Sequence, residues 1–517
     1  MTAPRALKGA FRSLNVLNAP FRALVLAGVV ALGVTACTGE AAPNPTAGPV
    51  APTGTVAAVC GHTKPGPKGP PAGAIEVDPG VAGDLSAETR EHPAGTTFWL
   101  APGTHTLGDG EFDSVAVKDG NTYLGAPGAV LDGKRVNKYA FTSDAKDVTV
   151  RGLTVRGFIP PQDEGVVNHD SGDGWVVEDN TIENNEGAGL MAGSDQQVRG
   201  NCLRDNGQYG INAYKDGHLG ELVLEGNEIT GNNTADWESK VDGCGCTGGV
   251  KFWAVDKADV RNNWVHDNRG TGLWADTNNN DFLIEGNLIE DNDGPAITYE
   301  ISYNAVIRAN TMRRNNLVEG RKFAANGDSF PSSAIYLSEA GGEPRIPART
   351  KKIDVYGNVM ANNWSGITLW ENSDRFCNSP ANTSNGSCTL LVRDRDRCEQ
   401  PDIAKKPLYD DCRWKTQNVD IHDNTFSVDT REINCSALCA RMAVISNYGT
   451  FPKWSPYQGD GVQQSITFAQ HNTWRDNRYS GPWTFMAKDT SRVIHASQWQ
   501  SAPFSQDQNS TFVQSGG

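Results

Sequence analysis

Charged residues recur at matching positions in three short runs of this sequence, and they are its first candidates for chemistry. Lys251 lies two residues after a glycine. Asp276 and Glu300 each lie four residues after a Gly or Ala that recurs at intervals of 23 and 24 residues. Two carboxylates held side by side repel when both are ionised, which raises the pKa of one and leaves an acid beside a base. We therefore take Asp276 and Glu300 as a candidate acid and base pair.

The runs that carry these charges alternate apolar and polar residues, a pattern typical of β-strands with one buried face. The first and third positions after the leading Gly or Ala are predicted to face the core: Leu190/Ala192, Ile211/Ala213, Val250/Phe252, Leu273/Ala275, Ile297/Tyr299, Ile335/Leu337 and Ile367/Leu369. The second and fourth positions form an outer ladder that is predicted to face solvent: Asn212/Tyr214, Lys251/Trp253, Trp274/Asp276, Thr298/Glu300, Tyr336/Ser338 and Thr368/Trp370.

Stacking of parallel strands would bring the charges of the outer ladder together. Equivalent residues on neighbouring parallel strands lie ~4.8 Å apart, so we expect Asp276 and Glu300 to be direct neighbours, with Lys251 one strand earlier. Glu339 and Glu371 come one position beyond the ladder and complete the candidate catalytic set. We expect Glu300 to act as the acid/base and Asp276 as the nucleophile or water-activating base.

Aromatic residues flank these acids, and exposed ring faces stack on the apolar faces of sugars. The predicted substrate-binding residues are Trp253, Trp274, Tyr336, Trp370 and Tyr214. Long insertions fall just before or just after the same strands and are expected to build walls around a binding surface. These insertions are residues 233–248, 316–333, 339–352, 372–417 and 449–464.

A pair of asparagines, spaced five residues apart, accompanies the strands along most of the chain. The first members are Asn180, Asn201, Asn227, Asn263, Asn287, Asn310, Asn358 and Asn472, and the second are Asn185, Asn206, Asn232, Asn268, Asn292, Asn315, Asn363 and Asn477. Asn tolerates the left-handed conformation of tight turns and can hydrogen-bond its equivalent on the next coil, so we interpret these residues as structural. A unit of two short strands and one Asn pair, repeated every 23–24 residues, predicts a solenoid.

Two early runs show how the solenoid begins. FWLAPGTHTL at 98–107 and NTYLGAPGAVLDG at 121–133 give short strands separated by Gly and Pro turns. This segment resembles the opening coils of right-handed parallel β-helix proteins of the pectate-lyase-like superfamily. The resemblance covers roughly residues 95–485 and implies an all-β, right-handed parallel β-helix with long loops along one face. We place this domain at 75–490, and a C-terminal cap or tail at 491–517.

A targeting segment precedes the predicted β-helix. Basic residues lead into an apolar run at 23–34, which is too short to span a bilayer and is typical of a secretory signal. The following Val-Thr-Ala-Cys37 resembles a bacterial lipobox, which implies a signal peptide at 1–36 and a lipid on Cys37. Residues 37–74 are rich in Ala, Pro and Gly and are predicted to form a flexible tether. We expect an exported protein, lipid-anchored to the outer face of the cytoplasmic membrane or secreted.

Ten cysteines remain beside Cys37, an even number that favours disulfides in an exported protein. Plausible local pairs are Cys377 with Cys388, Cys398 with Cys412 and Cys435 with Cys439. Cys244-Gly-Cys246 could be half of a metal site, but no matching His or Cys pair accompanies it, so a disulfide role is favoured.

The formal net charge of −15 argues against nucleic acid as a partner, because no basic stripe offers itself to phosphate. We expect a polysaccharide or glycan as the partner, contact with a membrane only through the lipid anchor, and a monomer. No zinc-ligand spacing or nucleotide-binding loop is present, so no metal or cofactor is predicted. A calcium ion in the turn Asp170-Ser-Gly-Asp-Gly174 is the alternative to a plain turn there.

Three functions stay open. Polysaccharide hydrolysis by the paired carboxylates is the leading hypothesis. A polysaccharide lyase or uronate epimerase is the second, with Lys251 as the base and Asp276 and Glu300 holding calcium or facing the uronate carboxylate. The third is a non-catalytic glycan-binding or adhesive surface protein, which would need the aromatic residues but not the acids.

Overall fold

The structure, a computed structural model, describes residues 56–241, 245, 248–382, 384, 386–435 and 437–513. The predicted signal peptide, Cys37, Cys244 and Cys246 lie outside these residues. Within the described part of the chain, no helix combines the length and apolar character needed to cross a membrane.

The chain winds into a solenoid whose coils supply strands to three long sheets, which confirms the predicted all-β parallel fold. Sheet 1 contains Ile75–Val77, Thr97–Leu100, Thr122–Gly125, Thr149–Arg151, Val176–Glu178, Gln196–Arg199, Leu222–Glu225, Ala258–Arg261, Asn280–Glu285, Tyr303–Arg308, Ile353–Tyr356, Val419–His422 and Thr473–Arg475. Sheet 2 contains Gly165–Val167, Ala188–Met191, Ile211–Ala213, Val250–Phe252, Leu273–Ala275, Ile297–Glu300, Ile335–Ser338, Ile367–Glu371, Arg441–Ser446, Thr484–Lys488 and Val493–Ile494.

Sheet 3 completes the three-sided solenoid. It contains Gly103–Thr106, Ala129–Asp132, Thr154–Arg156, Thr181–Glu183, Cys202–Arg204, Glu228–Thr230, Trp264–His266, Leu288–Glu290, Thr311–Arg313, Val359–Ala361, Thr425–Ser427, Arg478–Ser480 and Thr511–Val513. A small sheet pairs Val115–Ala116 with Phe141–Thr142. The helices are Asp84–Glu91, Trp237–Lys240, Leu317–Ala325, Leu408–Asp411, Gly461–Phe468 and Ala496–Gln500, with 3-10 turns at Arg395–Cys398 and Asp402–Ala404.

The core lies inside the solenoid, where the inward side chains of the three sheets meet. Leu273 pairs with Ile297 in register, and both side chains are almost fully buried. The predicted inward positions of sheet 2 are all buried, which confirms how the alternation sorts the two faces. Burial of apolar side chains along every coil is the main stabilising contribution to such a stack.

Buried asparagines form two hydrogen-bonded ladders along the solenoid, which confirms their structural role. The Asn263 amide donates to the Leu224 carbonyl and to Oδ1 of Asn287, both at 3.0 Å. The prediction that Asn472 and Asn477 form one pair is wrong. Asn477 accepts from Asn424 in the first ladder, whereas the Asn472 side chain donates to backbone carbonyls outside both ladders. The long insertion before Val419 interrupts the repeat, so the sequence spacing does not show that Asn477 follows Asn424 in the first ladder.

Disulfides fasten the loops and the N-terminal segment. The three predicted local pairs are confirmed: Cys377–Cys388, Cys398–Cys412 and Cys435–Cys439. Cys60 is bonded to Cys202 on sheet 3, and the backbone N–H groups of Val59 and Cys60 donate to Glu228. The described end of the predicted tether is therefore fixed to the solenoid and is not a free linker.

The described part of the C-terminal segment, up to residue 513, packs against the last coil. The Trp499 side chain is buried and stacks on Phe485 with ring centroids 5.0 Å apart. The Trp499 indole N–H donates to the buried Asp507 carboxylate at 3.0 Å. These contacts cover the apolar end of the solenoid.

Candidate active site

The outer face of sheet 2 brings the predicted charged residues together. Ala275 pairs with Tyr299, so the following residues, Asp276 and Glu300, are neighbours on adjacent coils. The Lys251 Nζ lies 3.0 Å from Asp276 Oδ2. The predicted adjacency of these three side chains is confirmed.

The prediction that the outer ladder faces solvent is wrong for most of its members. The side chains of Lys251 and Asp276 are only 1% and 5% exposed. Glu339, Glu371 and Trp370 are also buried. The insertions do more than flank the strands, because they fold back over sheet 2 and place a second layer of side chains on its outer face.

Lys251 sits in a pocket lined by polar groups and one aromatic ring. Besides the Asp276 carboxylate, its Nζ donates to the Gly245 carbonyl at 2.9 Å and lies 4.2 Å from the centre of the Trp274 ring. A carboxylate, a carbonyl oxygen and a ring face all attract an ammonium group. Lys251 thereby fixes the orientation of the Asp276 side chain.

Arg375, supplied by the longest insertion, joins two further acids of the site. Its Nη2 lies 2.9 Å from Glu300 Oε1, and the same guanidinium contacts Glu339. Burial raises the pKa of Glu300, an effect that Arg375 opposes and Asp276 increases. Burial also raises the pKa of Glu339, to about 7, against the opposing charge of Arg375. Of the two, only Glu300 keeps an exposed fraction, 14% of its side chain.

Glu371 and Trp370 lie in sealed surroundings. Glu371 pairs with Arg413 and accepts hydrogen bonds from the Thr416 backbone N–H and the Gln470 amide. Trp370 is buried against Phe330 at a ring distance of 5.4 Å. Neither side chain offers a surface to a ligand in this arrangement.

The remaining predicted aromatic residues are half-buried and line both sides of the acids. Tyr214 and Trp253 meet edge to face at 6.4 Å on the coils before Asp276. Trp274 lies under Lys251, and Tyr336 lies on the coil after Glu300, where its ring meets the edge of Phe330. All four rings are therefore only partly accessible.

A family model described as a right-handed β-helix region matches residues 140–246 and 165–346. Together with the three parallel sheets, this match decides the fold. The protein is a right-handed parallel β-helix. No curated protein sequence gives a significant match.

Among solved structures, the β-helix is similar to carbohydrate-active enzymes. The catalytic unit of a GH87 α-1,3-glucanase from Streptomyces thermodiastaticus is 14% identical, with a TM-score of 0.46 over 81% of this chain and 68% of that one. A mannuronan C-5 epimerase A-module from Azotobacter vinelandii is 14% identical, with a TM-score of 0.41 over 84% and 95%. A PL6 alginate lyase in complex with a trisaccharide is 13% identical, with a TM-score of 0.40 over 86% and 85%.

Two site residues of this β-helix escape sequence analysis, Asp163 and Arg375. The Asp163 carboxylate accepts from the Gln208 amide at 2.7 Å. Burial raises its pKa to about 6, although Gln208 and the charge of Lys251 oppose the shift. Both residues lie in connections between strands, where no periodicity marks them. The only signal for Arg375 is that it follows a sheet 2 strand inside the longest insertion.

Metal binding finds little support in the described residues. Asp354, Asp420 and His422 on sheet 1 form the one group there with metal-like spacing. Lys352 Nζ lies 3.0 Å from both aspartates of this group, so an ammonium already neutralises it. In the turn considered for calcium, Asp173 pairs with Lys215 at 2.9 Å. The same carboxylate oxygen accepts from the Ser194 backbone N–H, so it already has two partners outside the turn.

Proposed function

We propose that this β-helix hydrolyses glycosidic bonds of a polysaccharide, with Glu300 as the acid/base and Asp276 as the nucleophile. One observation carries the proposal: two carboxyl groups on neighbouring coils lie in different environments. Asp276 is ion-paired with Lys251, whereas burial raises the pKa of Glu300, an effect that the Asp276 charge increases. A charged carboxylate beside a protonated one is the arrangement that glycoside hydrolysis requires.

In the first step, Glu300 donates its proton to the glycosidic oxygen while Asp276 attacks the anomeric carbon. The bond to the leaving sugar breaks with that proton on its oxygen, and a glycosyl ester forms on Asp276. In the second step, Glu300 removes a proton from water, which attacks the ester and releases Asp276. Neighbouring coils place the carboxylates ~4.8 Å apart, near the separation of about 5–5.5 Å that favours retention of configuration.

Arg375 and Lys251 position the two acids in this scheme. Arg375 donates to Oε1 of Glu300, which leaves Oε2 to carry the transferred proton. Lys251 keeps Asp276 aligned until the attack, because its Nζ lies 3.0 Å from Oδ2. Such preorganised charges stabilise a transition state without rearrangement.

The lyase or epimerase alternative requires Lys251 to be a neutral base. Its Nζ already contacts the Asp276 carboxylate, the Gly245 carbonyl and the Trp274 ring, and its side chain is 1% exposed. This geometry supports a positioning role for Lys251 instead. We propose the location that the sequence predicts, an exported protein anchored through Cys37, with a polysaccharide as its partner.

The test is a screen of the mature protein against neutral and uronate-containing polysaccharides, with and without a chelator. The proposal predicts new reducing ends, no unsaturated uronate and no effect of the chelator. Nuclear magnetic resonance of the first product should show the anomeric configuration of the substrate retained. Unsaturated products that disappear with the chelator would replace hydrolysis by a lyase reaction. Binding without any cleavage would favour the glycan-binding alternative.

A further inference from the structure

Three exposed aromatic side chains lie in or next to the insertion 449–464, and sequence analysis gives none of these three residues a role. Tyr448, Phe451 and Trp454 are 54%, 46% and 39% exposed. Among the described residues, the other exposed Phe, Tyr and Trp side chains are Phe112 and Phe468. Clusters of exposed apolar side chains often mark a binding surface.

The loop that carries these rings is held firmly at several points. The Asp374 carboxylate accepts from the backbone N–H groups of Thr450 and Phe451 at 2.8 and 3.0 Å. Gly449 and Gly459 exchange backbone hydrogen bonds at 2.9 and 3.0 Å. The Gln400 amide donates to the Trp454 carbonyl at 2.8 Å. A fixed backbone presents the rings at low cost in conformational entropy.

The same loop is joined to the candidate active site through the segment around Arg375. Asp374, which caps the loop, precedes Arg375, and the ring of Phe376 contacts Trp454 at 5.5 Å. The residue that orients Glu300 and the aromatic loop therefore belong to one packed unit.

Strand register places the loop along the axis from the acids. Glu300 pairs with Ser338, Ser338 with Trp370, and Trp370 with Ile445 on the strand that leads into the loop. Three coil steps correspond to about 14 Å along the axis. Tyr214 and Trp253 lie on the opposite side of Asp276, on earlier coils.

We propose that Tyr448, Phe451 and Trp454 form a sugar-stacking platform for the substrate chain beyond the reacting sugar. This inference rests on the proposed function and names its substrate class, a long polysaccharide that lies along the solenoid axis. Ring faces bind the apolar faces of sugars, and the hydroxyl of Tyr and the indole N–H of Trp can hydrogen-bond at the ring edges. Short oligosaccharides reach the acids without reaching the platform.

Binding is measured first in the Glu300→Gln background, so that turnover does not consume the polysaccharide. The triple variant Tyr448→Ala, Phe451→Ala, Trp454→Ala should bind the polymer at least about tenfold more weakly. Phe112→Ala, which removes an exposed ring elsewhere, should bind as the parent does. Trp454→Tyr, which keeps a stacking face, should retain most of the affinity and serves as the folded control.

Kinetic measurements test the aromatic platform and the proposed hydrolysis separately. With Glu300 intact, the triple variant should show a raised KM for the polymer, while its kcat and its activity on short oligosaccharides stay unchanged. Unchanged affinity and KM would overturn the platform and leave the hydrolase proposal intact. Polymer binding that depends on the three rings, with no cleavage by the wild type, would keep the platform and refute the reaction. If the wild type is a dimer and the triple variant is a monomer with unchanged glycan affinity, a second chain covers the rings and the platform is refuted.

Discussion

The outer faces of sheets 1 and 2 carry ionisable residues at the same coil repeat, but their electrostatics differ. On sheet 1, opposite charges alternate from coil to coil: Arg151, Glu178, Arg199, Glu225, Arg261, Glu285 and Arg308. Arg308 lies 2.7 Å from Glu285, and the two side chains are 38% and 31% exposed. On sheet 2, the carboxylates of Asp276 and Glu300 are neighbours instead, beneath a layer of loops.

The pKa shifts of the two faces follow from this difference. On sheet 1, hydrogen bonds from Arg475 and Lys352 lower the pKa of Asp420, although burial opposes them. On sheet 2, burial raises the pKa of Glu300 despite the contact with Arg375. Where water and opposite charges surround stacked ionisable residues, as on sheet 1, the pKa of a carboxyl group is not raised. Where loops exclude water and like charges meet, as on sheet 2, the pKa of a carboxyl group rises toward the range that acid catalysis requires.

The largest difference between the two faces should appear when a cation is removed. Lys251→Met removes the ion-pair partner of the buried Asp276, so we expect the free energy of unfolding to fall by about 3–5 kcal/mol. Arg308→Met, the matched change on sheet 1, should cost only about 0–1 kcal/mol because water replaces the lost partner. Urea unfolding of both variants measures the contrast. Equal losses would mean that the cover over sheet 2 does not exclude water.

A smaller effect should separate the structural acid of sheet 2, Glu371, from Asp276 and Glu300, the acids proposed to be catalytic. Glu371→Gln removes the charge that faces Arg413, and we expect stability to fall by about 1.5–3 kcal/mol. Because Glu371 is sealed from ligands, kcat at a temperature where the variant stays folded should remain within about twofold of the wild type. A loss of kcat as large as that of Glu300→Gln would return Glu371 to the catalytic set.

Another expected effect is a pH dependence of stability to which the covered face contributes through Glu339. Burial raises the pKa of Glu339 from its ordinary 4.5 to about 7. The folded state therefore holds this proton more tightly than the unfolded state. The resulting stability is complete below about pH 4.5 and is lost as the pH rises through about 7. The Tm should decline over this range in the wild type and decline less in Glu339→Gln, whereas Glu285→Gln keeps the wild-type slope. A wild-type Tm that rises over this range would contradict the assignment.

Sequence reasoning identifies the part of the site that periodicity controls. The recurrence of Gly-led strands is enough to place Asp276 beside Glu300, because register in a parallel stack follows from aligned inward residues. Sequence reasoning fails where the chain departs from the repeat. Asp163 and Arg375 come from connections between strands, and the course of these connections depends on packing and disulfides. The burial of Lys251 depends on the same contacts. The Cys60–Cys202 bond, with a sequence separation of 142 residues, has no local signal either.

The most direct test of the central claim compares kcat/KM of Glu300→Gln and Glu285→Gln on a polysaccharide that the wild-type protein cleaves. The two substitutions are chemically identical and lie on the outer faces of sheets 2 and 1. If the covered face is the reactive one, Glu300→Gln should lose about 10²–10⁴-fold, while Glu285→Gln stays within about twofold of the wild type. Wild-type kcat/KM in Glu300→Gln, or an equal loss in both variants, would contradict it.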